Sequence, residues 1–150
     1  MTQPASQAAD SQPRSCNPTA GLLAWIFPGL GHVYLGQRHR GFLVMAGILF
    51  LFICGLLVGG LDAVDLKNDK IWFVGQAFNG PITFVANFLN QTLIQARPEA
   101  LRLQLVGLGN VNALGTLFIT LGGLMNLIVI LDAFYPQPWD DRPARRKDDR

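Results

Sequence analysis

Two residues stand in largely apolar surroundings with side chains able to do chemistry: His32 and Asp132. An imidazole changes charge near neutral pH and can relay a proton or ligate a metal. A carboxylate at membrane depth is costly and takes a partner. No second histidine, cysteine or carboxylate stands at ligand spacing from His32, so a metal set is not expected, and His39 reads as a loop residue. The simpler role for His32 is a hydrogen bond between helices. Asn126 shares an apolar run with Asp132, six residues before it. That spacing turns the two about 240° apart around a helix, onto different faces. Asn126 is therefore expected to bond a neighbouring helix, and Asp132 to sit at an interface within reach of Arg38 or Arg40.

The remaining chemical templates are absent. There is no Gly-x-Ser-x-Gly, no His-Glu-x-x-His and no Gly-x-x-x-x-Gly-Lys. The pair Gly107 and Gly109 is a bare loop signal. Cys16 lies in a polar segment and Cys54 in an apolar one, so a disulfide between them is not expected. A net charge of +2 with no basic stripe gives no reason to invoke nucleic acid. Catalytic residues, metals and cofactors are accordingly not expected, and the implied partner is the lipid bilayer.

That partner follows from how charge is distributed. Half of the chain is hydrophobic and 15% is charged, against about 25% in an ordinary soluble domain. The charges gather at the ends and in short connectors. Residues 1–18 and 137–150 read as solvated tails, the first too polar to bury surface that offsets its ordering entropy. Residues 41–61 carry no charge over 21 positions, the signature of a transmembrane helix. Gly55 and Gly59 within it form a small-xxx-small pair that admits another helix closely. Residues 114–134 form a second such run, with Gly122-Gly123 as a further close-packing site. Residues 19–36 are also apolar but reach only about 27 Å as a helix, short of a hydrocarbon core of about 30 Å. Pro28-Gly29 interrupts them, so a kink is expected; a short span is favoured over a re-entrant hairpin.

Residues 71–94 are mixed. Aromatic residues such as Trp72, Phe84 and Phe88 argue for membrane contact, while Gln76, Asn79, Pro81, Asn87 and Asn90 interrupt each apolar run. Beyond Pro81, positions 82, 85, 89 and 93 are apolar at helical spacing and 83, 87, 90 and 91 are polar. This pattern predicts an amphipathic helix at the interface or covering the bundle. Short basic loops stay in the cytoplasm. With three spans, the Arg38–Arg40 connector places the N-terminus outside and the C-terminus inside. A four-span arrangement also groups the basic residues, and the weak hydrophobicity of 71–94 favours three.

The most distinctive string runs Pro28-Gly29-Leu30-Gly31-His32-Val33-Tyr34-Leu35-Gly36-Gln37-Arg38-His39-Arg40. Gly29, Gly31 and Gly36 suit a sharp turn, Tyr34 the headgroup zone, and Arg38 and Arg40 anionic headgroups. This string resembles the Gly-x-x-x-Phe-Tyr-Leu-Gly turn of the two-transmembrane (TM-two) domain family. Together with Gly123-Leu124-Met125-Asn126-Leu127-Ile128-Val129-Ile130-Leu131-Asp132-Ala133, it is more similar still to a family of small bacterial membrane proteins of unknown function. The resemblance implies architecture and a place in the bacterial inner membrane, and no reaction. The sequence thus predicts an all-α integral membrane protein of three spans plus an amphipathic interfacial helix. It is expected to be non-enzymatic and to act through assembly with itself or another membrane protein. The alternative is a small transporter or channel component working as an oligomer; an intramembrane enzyme using His32 and Asp132 stands third.

Overall fold

A computed structural model describes residues 16–101 and 109–136. Most of both expected tails and the loop holding Gly107 lie outside the described residues. Among the described residues the chain is helical, with no strand. Its frame is two long helices, α3 (Arg38–Gly59) and α6 (Gly109–Phe134). Both are long and apolar enough to cross a membrane; their 22 and 26 residues extend about 33 and 39 Å. The uncharged sequence that favours them also leaves side chains such as Leu43, Phe50, Leu57, Leu121 and Ile128 exposed. They run antiparallel. Arg40 meets Asp132 at one end, hereafter the basic end, and Gly59 meets Gly115 near the other, hereafter the far end. A Cβ on Gly59 would lie 2.8 Å from the Gly115 Cα, so the glycines bring the two backbones into contact.

Residues 19–36 do not form the single span expected of them. Helix α1 (Pro18–Ile26) stops at Phe27, which takes extended backbone at φ −146°, ψ 124°. Gly29 follows in the left-handed region at φ 83°, and the five-residue helix α2 (Leu30–Tyr34) folds back along α1. Gly31 then lies against the Ala20 carbonyl and the Cβ atoms of Ala24 and Ala133. Both ends of this hairpin are at the basic end. The Asn17 N–H donates to the Phe134 carbonyl at 2.9 Å, while a short turn after α2 leads to Arg40 in the first turn of α3. Asn17 and Arg40 therefore stand at the same end of the bundle.

The second departure lies at residues 70–95. Helix α4 (Lys70–Ala77) descends from the far end, and Gly80 breaks it at φ 86°, ψ −158°. Helix α5 (Pro81–Leu89), with Pro81 in its first turn, returns and continues into a π-helical turn at Asn90–Gln95. The amphipathic period expected after Pro81 is present, but its polar side faces inward. Thr83 and Asn90 are buried, while Phe84, Val85 and Phe88 are exposed. The element is a helical hairpin from the far end, not one interfacial helix.

The two hairpins meet tip to tip beside α6. Gly80 lies against the Trp25 carbonyl, where a Cβ would collide with it. Pro28, Gly29, Asn79 and Gly80 are all buried.

Candidate functional site

The two strings that distinguish the sequence converge at the basic end. His32 sits on α2, 2% exposed, and its Nε2 lies 2.8 Å from Asp132 Oδ2 on α6. Arg40 of α3 reaches the same oxygen with Nη2 at 2.7 Å. A carboxylate oxygen accepts, so the His32 Nε2 carries the proton of this bond. The His32 Nδ1 is buried and has no hydrogen-bond partner among the described residues. Asp132 retains 34% side-chain exposure and Arg40 49%, so the cluster runs from the closed interior to the surface. One hundred residues separate His32 from Asp132; no spacing rule reveals that pairing, whereas the Arg40 contact agrees with the charge reading. Arg38 and Tyr34 are exposed beside it, and Gly36 is exposed at φ 85°.

A second polar group occupies the junction of the hairpin tips. Asn126 is fully buried, and its Nδ2 donates to the Ala24 carbonyl at 3.2 Å and the Phe78 carbonyl at 2.7 Å. These carbonyls belong to the last turns of α1 and α4, where helices leave acceptors without intrahelical donors. One side chain of α6 therefore satisfies both hairpins. Asn79 does the same locally, donating to the Ile119 carbonyl at 2.8 Å and the Gln76 carbonyl at 3.2 Å. Thr83 Oγ1 donates to the Gln76 carbonyl at 2.7 Å, and Gln76 Nε2 donates to the Ala63 carbonyl at 2.9 Å.

From there the polar contacts continue to the far end. Thr116 Oγ1 donates to the Ala63 carbonyl at 3.3 Å and contacts Asn112 Oδ1 at 3.3 Å. Asn112 donates to Asp62 at 2.9 Å, as does Gln95 at 3.0 Å. Asp65, 3% exposed, accepts from the Lys67 N–H at 2.8 Å, from Asn68 Nδ2 at 2.6 Å and from Gln91 Nε2 at 3.0 Å. Amides, hydroxyls and carbonyls are thus hydrogen-bonded from Asp62 at the far end as far as Asn79, whose chain neighbour Phe78 offers its carbonyl to Asn126. Between Asn126 and the His32 cluster stands an apolar group of Ala20, Ala24 and Ala133, with Val129 and Ile130 against it.

Gln76, Asn79, Thr83 and Asn90 are the interior residues that sequence reasoning missed. Their helical period was visible, but not which side faced protein. Asn126 and Asp132 lie on separate sites, as their spacing predicts. Gly55 and Gly59 are spent on α6 within the chain, not on an external partner. Among the described residues no group of His, Cys, Asp and Glu could hold a metal ion.

The region that carries both clusters, residues 19–146, matches a family of unknown function, DUF6677. The chain belongs to that family. No curated protein and no solved structure matches it. The two strings singled out in the sequence, one ending at Arg40 and the other at Ala133, both fall in the matched region and meet at the Asp132 carboxylate.

Proposed function

We propose that the chain is a multi-pass integral membrane protein, not an enzyme, and that it serves as a small transport component in the plane of the membrane. The observation that carries this reading is an inverted polarity. Gln76, Asn79, Thr83, Asn90 and Asn126 are at most 1% exposed, while Phe50, Leu57, Val74, Phe88 and Ile128 are each more than 60% exposed. Water on the outside would penalise that arrangement and lipid favours it.

In this reading α3 and α6 cross the bilayer, and the two hairpins enter it from opposite faces to meet at depth. Broken helices whose ends converge near mid-membrane are a recurrent way to build a solute site in transporters. Eight of the twelve Lys and Arg residues belong to stretches that join the bundle at the basic end. That end is therefore the cytoplasmic one, with the chain before and after the bundle on the same side. A bacterial inner membrane and the distant TM-two likeness, a tight hairpin beside a basic turn, accord with this placement.

The polar interior at the junction holds amides and hydroxyls rather than charges, which suits small uncharged polar species. The test is stopped-flow light scattering on proteoliposomes challenged with glycerol, urea and plain osmotic gradients. Faster volume change than in empty vesicles is expected for at least one of them. Permeability equal to empty vesicles for all, with no proton flux either, would remove the transport reading. Assembly with itself or another membrane protein is the second reading, favoured by the broad exposed surface of α3, buried over only 22% of its apolar stretch.

A further inference from the structure

We infer that the hairpin junction selects small uncharged solutes that donate hydrogen bonds, and that the amide oxygens of Asn79 and Asn126 receive them. The inference rests on the transport reading and names its substrate class. It starts from the direction in which the hydrogen bonds of the junction run. Asn126 Nδ2 donates to the carbonyls of Ala24 and Phe78, and Asn79 Nδ2 to those of Gln76 and Ile119. A side-chain amide has two N–H groups, so both residues have spent all of their donors. The Thr83 hydroxyl proton is spent on the Gln76 carbonyl as well.

The oxygens are what remains. Asn126 Oδ1, Asn79 Oδ1 and Gln76 Oε1 are buried without a hydrogen-bond partner among the described residues, and the three residues are at most 1% exposed. Their neighbours fix which way each amide faces. Turned over, Asn79 or Asn126 would set its oxygen against two carbonyl oxygens, and Gln76 against the Ala63 carbonyl. The three stand in one neighbourhood: Asn79 bonds the backbone of Gln76, and its chain neighbour Phe78 accepts from Asn126.

Such a junction offers acceptors. Buried acceptors are seldom left without a donor. A solute with N–H or O–H groups satisfies them, whereas one that only accepts leaves them unpaired, which is how a site built for a donor rejects an analogue lacking it. The side chains of Gln76, Asn79, Thr83 and Asn126 all donate to backbone carbonyls. No charged group among these partners offsets the dehydration of an ion. The fitting species is therefore a neutral donor such as urea or glycerol. Gly122 of α6 gives a way to cover one acceptor. A Cβ there would lie 3.2 Å from Asn79 Oδ1, with the Leu51 Cβ at 3.6 Å and the Ile48 carbonyl oxygen at 3.7 Å.

The experiment gives proteoliposomes inward gradients of urea, glycerol and trimethylamine N-oxide and follows entry by stopped-flow light scattering. The oxide is uncharged overall, intermediate in size between the other two, and accepts hydrogen bonds without donating any. The wild type should admit urea or glycerol faster than empty vesicles do, and the oxide no faster. Gly122→Ala should slow the donor solute about two- to tenfold, the equivalent of one hydrogen bond, while Gly47→Ala should leave its rate unchanged. Oxide entry raised as much as that of urea or glycerol would overturn the inference and spare the transport reading. Entry of all three equal to empty vesicles would also overturn it, while faster water movement or proton flux in the same vesicles would leave the transport reading standing. Undiminished urea or glycerol entry in a monodisperse Gly122→Ala protein would overturn the role given to Asn79. Should Gly122→Ala fail to fold, the wild-type comparison of donating and accepting solutes decides alone.

Discussion

Asp132 receives two donors on one oxygen, and they differ in what they lose if it goes. His32 is closed off from solvent, whereas the Arg40 guanidinium can turn to water or headgroups. An exposed ion pair contributes about 0–1 kcal/mol, while stranding a buried donor costs about 1–3 kcal/mol. Asp132→Ala should therefore lower the thermal unfolding midpoint in detergent by several degrees, and Arg40→Gln by less. Equal midpoints for Asp132→Ala and wild type would show that the His32 bond does not hold the α1–α2 hairpin to α6. The sequence named His32, Asp132 and a pairing of Asp132 with Arg38 or Arg40, because charge and apolar context are local properties. It concealed the His32 bond, because only the reversal at Gly29 brings α2 beside the end of α6.

At the scale of elements, α3 and α6 were legible because each is an uncharged run as long as a bilayer is thick. The hairpins were not. Residues 19–36 and 71–94 have the composition of weak or short spans, and composition does not record direction. Their breaks were nevertheless written in the chain as Phe27-Pro28-Gly29 and Asn79-Gly80-Pro81, where proline cannot extend a helix and glycine takes φ near +85°. The α3–α6 contact gives a sharp prediction. Gly115→Ala places a Cβ into the Gly59 backbone, which cannot yield as a side chain would. Overpacking of this kind costs about 1–3 kcal/mol. Gly47→Ala, on an exposed face of α3 with nothing within 4 Å of a Cβ, should be neutral or stabilising by up to about 1 kcal/mol. Comparable midpoints for the two variants would contradict the backbone contact between α3 and α6.

At the scale of the whole molecule, two hairpins come in from opposite ends of the bundle and return. If residues 19–36 crossed the membrane, the chain before α1 would lie opposite Arg40. The hairpin instead joins Asn17 to Phe134, so both sides of α1–α2 and the C-terminal end of α6 share one face. The polar junction and the transport reading both require this arrangement, since only opposed hairpins bring the α1 and α4 carbonyls together at Asn126. Reporter fusions after Arg40 and Asn68 do not separate the two arrangements, because both place those sites on opposite faces. The native cysteine at position 16 does: it is exposed and lies one residue before Asn17. The most direct measurement is labelling of Cys16, in a Cys54→Ser background, by a membrane-impermeant maleimide in right-side-out and inverted vesicles. A single cysteine replacing Arg40 serves as the reference. Labelling of both positions from the cytoplasmic face alone is the predicted result. Labelling of Cys16 from the outside and of position 40 from the inside would make residues 19–36 a span and contradict the opposed hairpins.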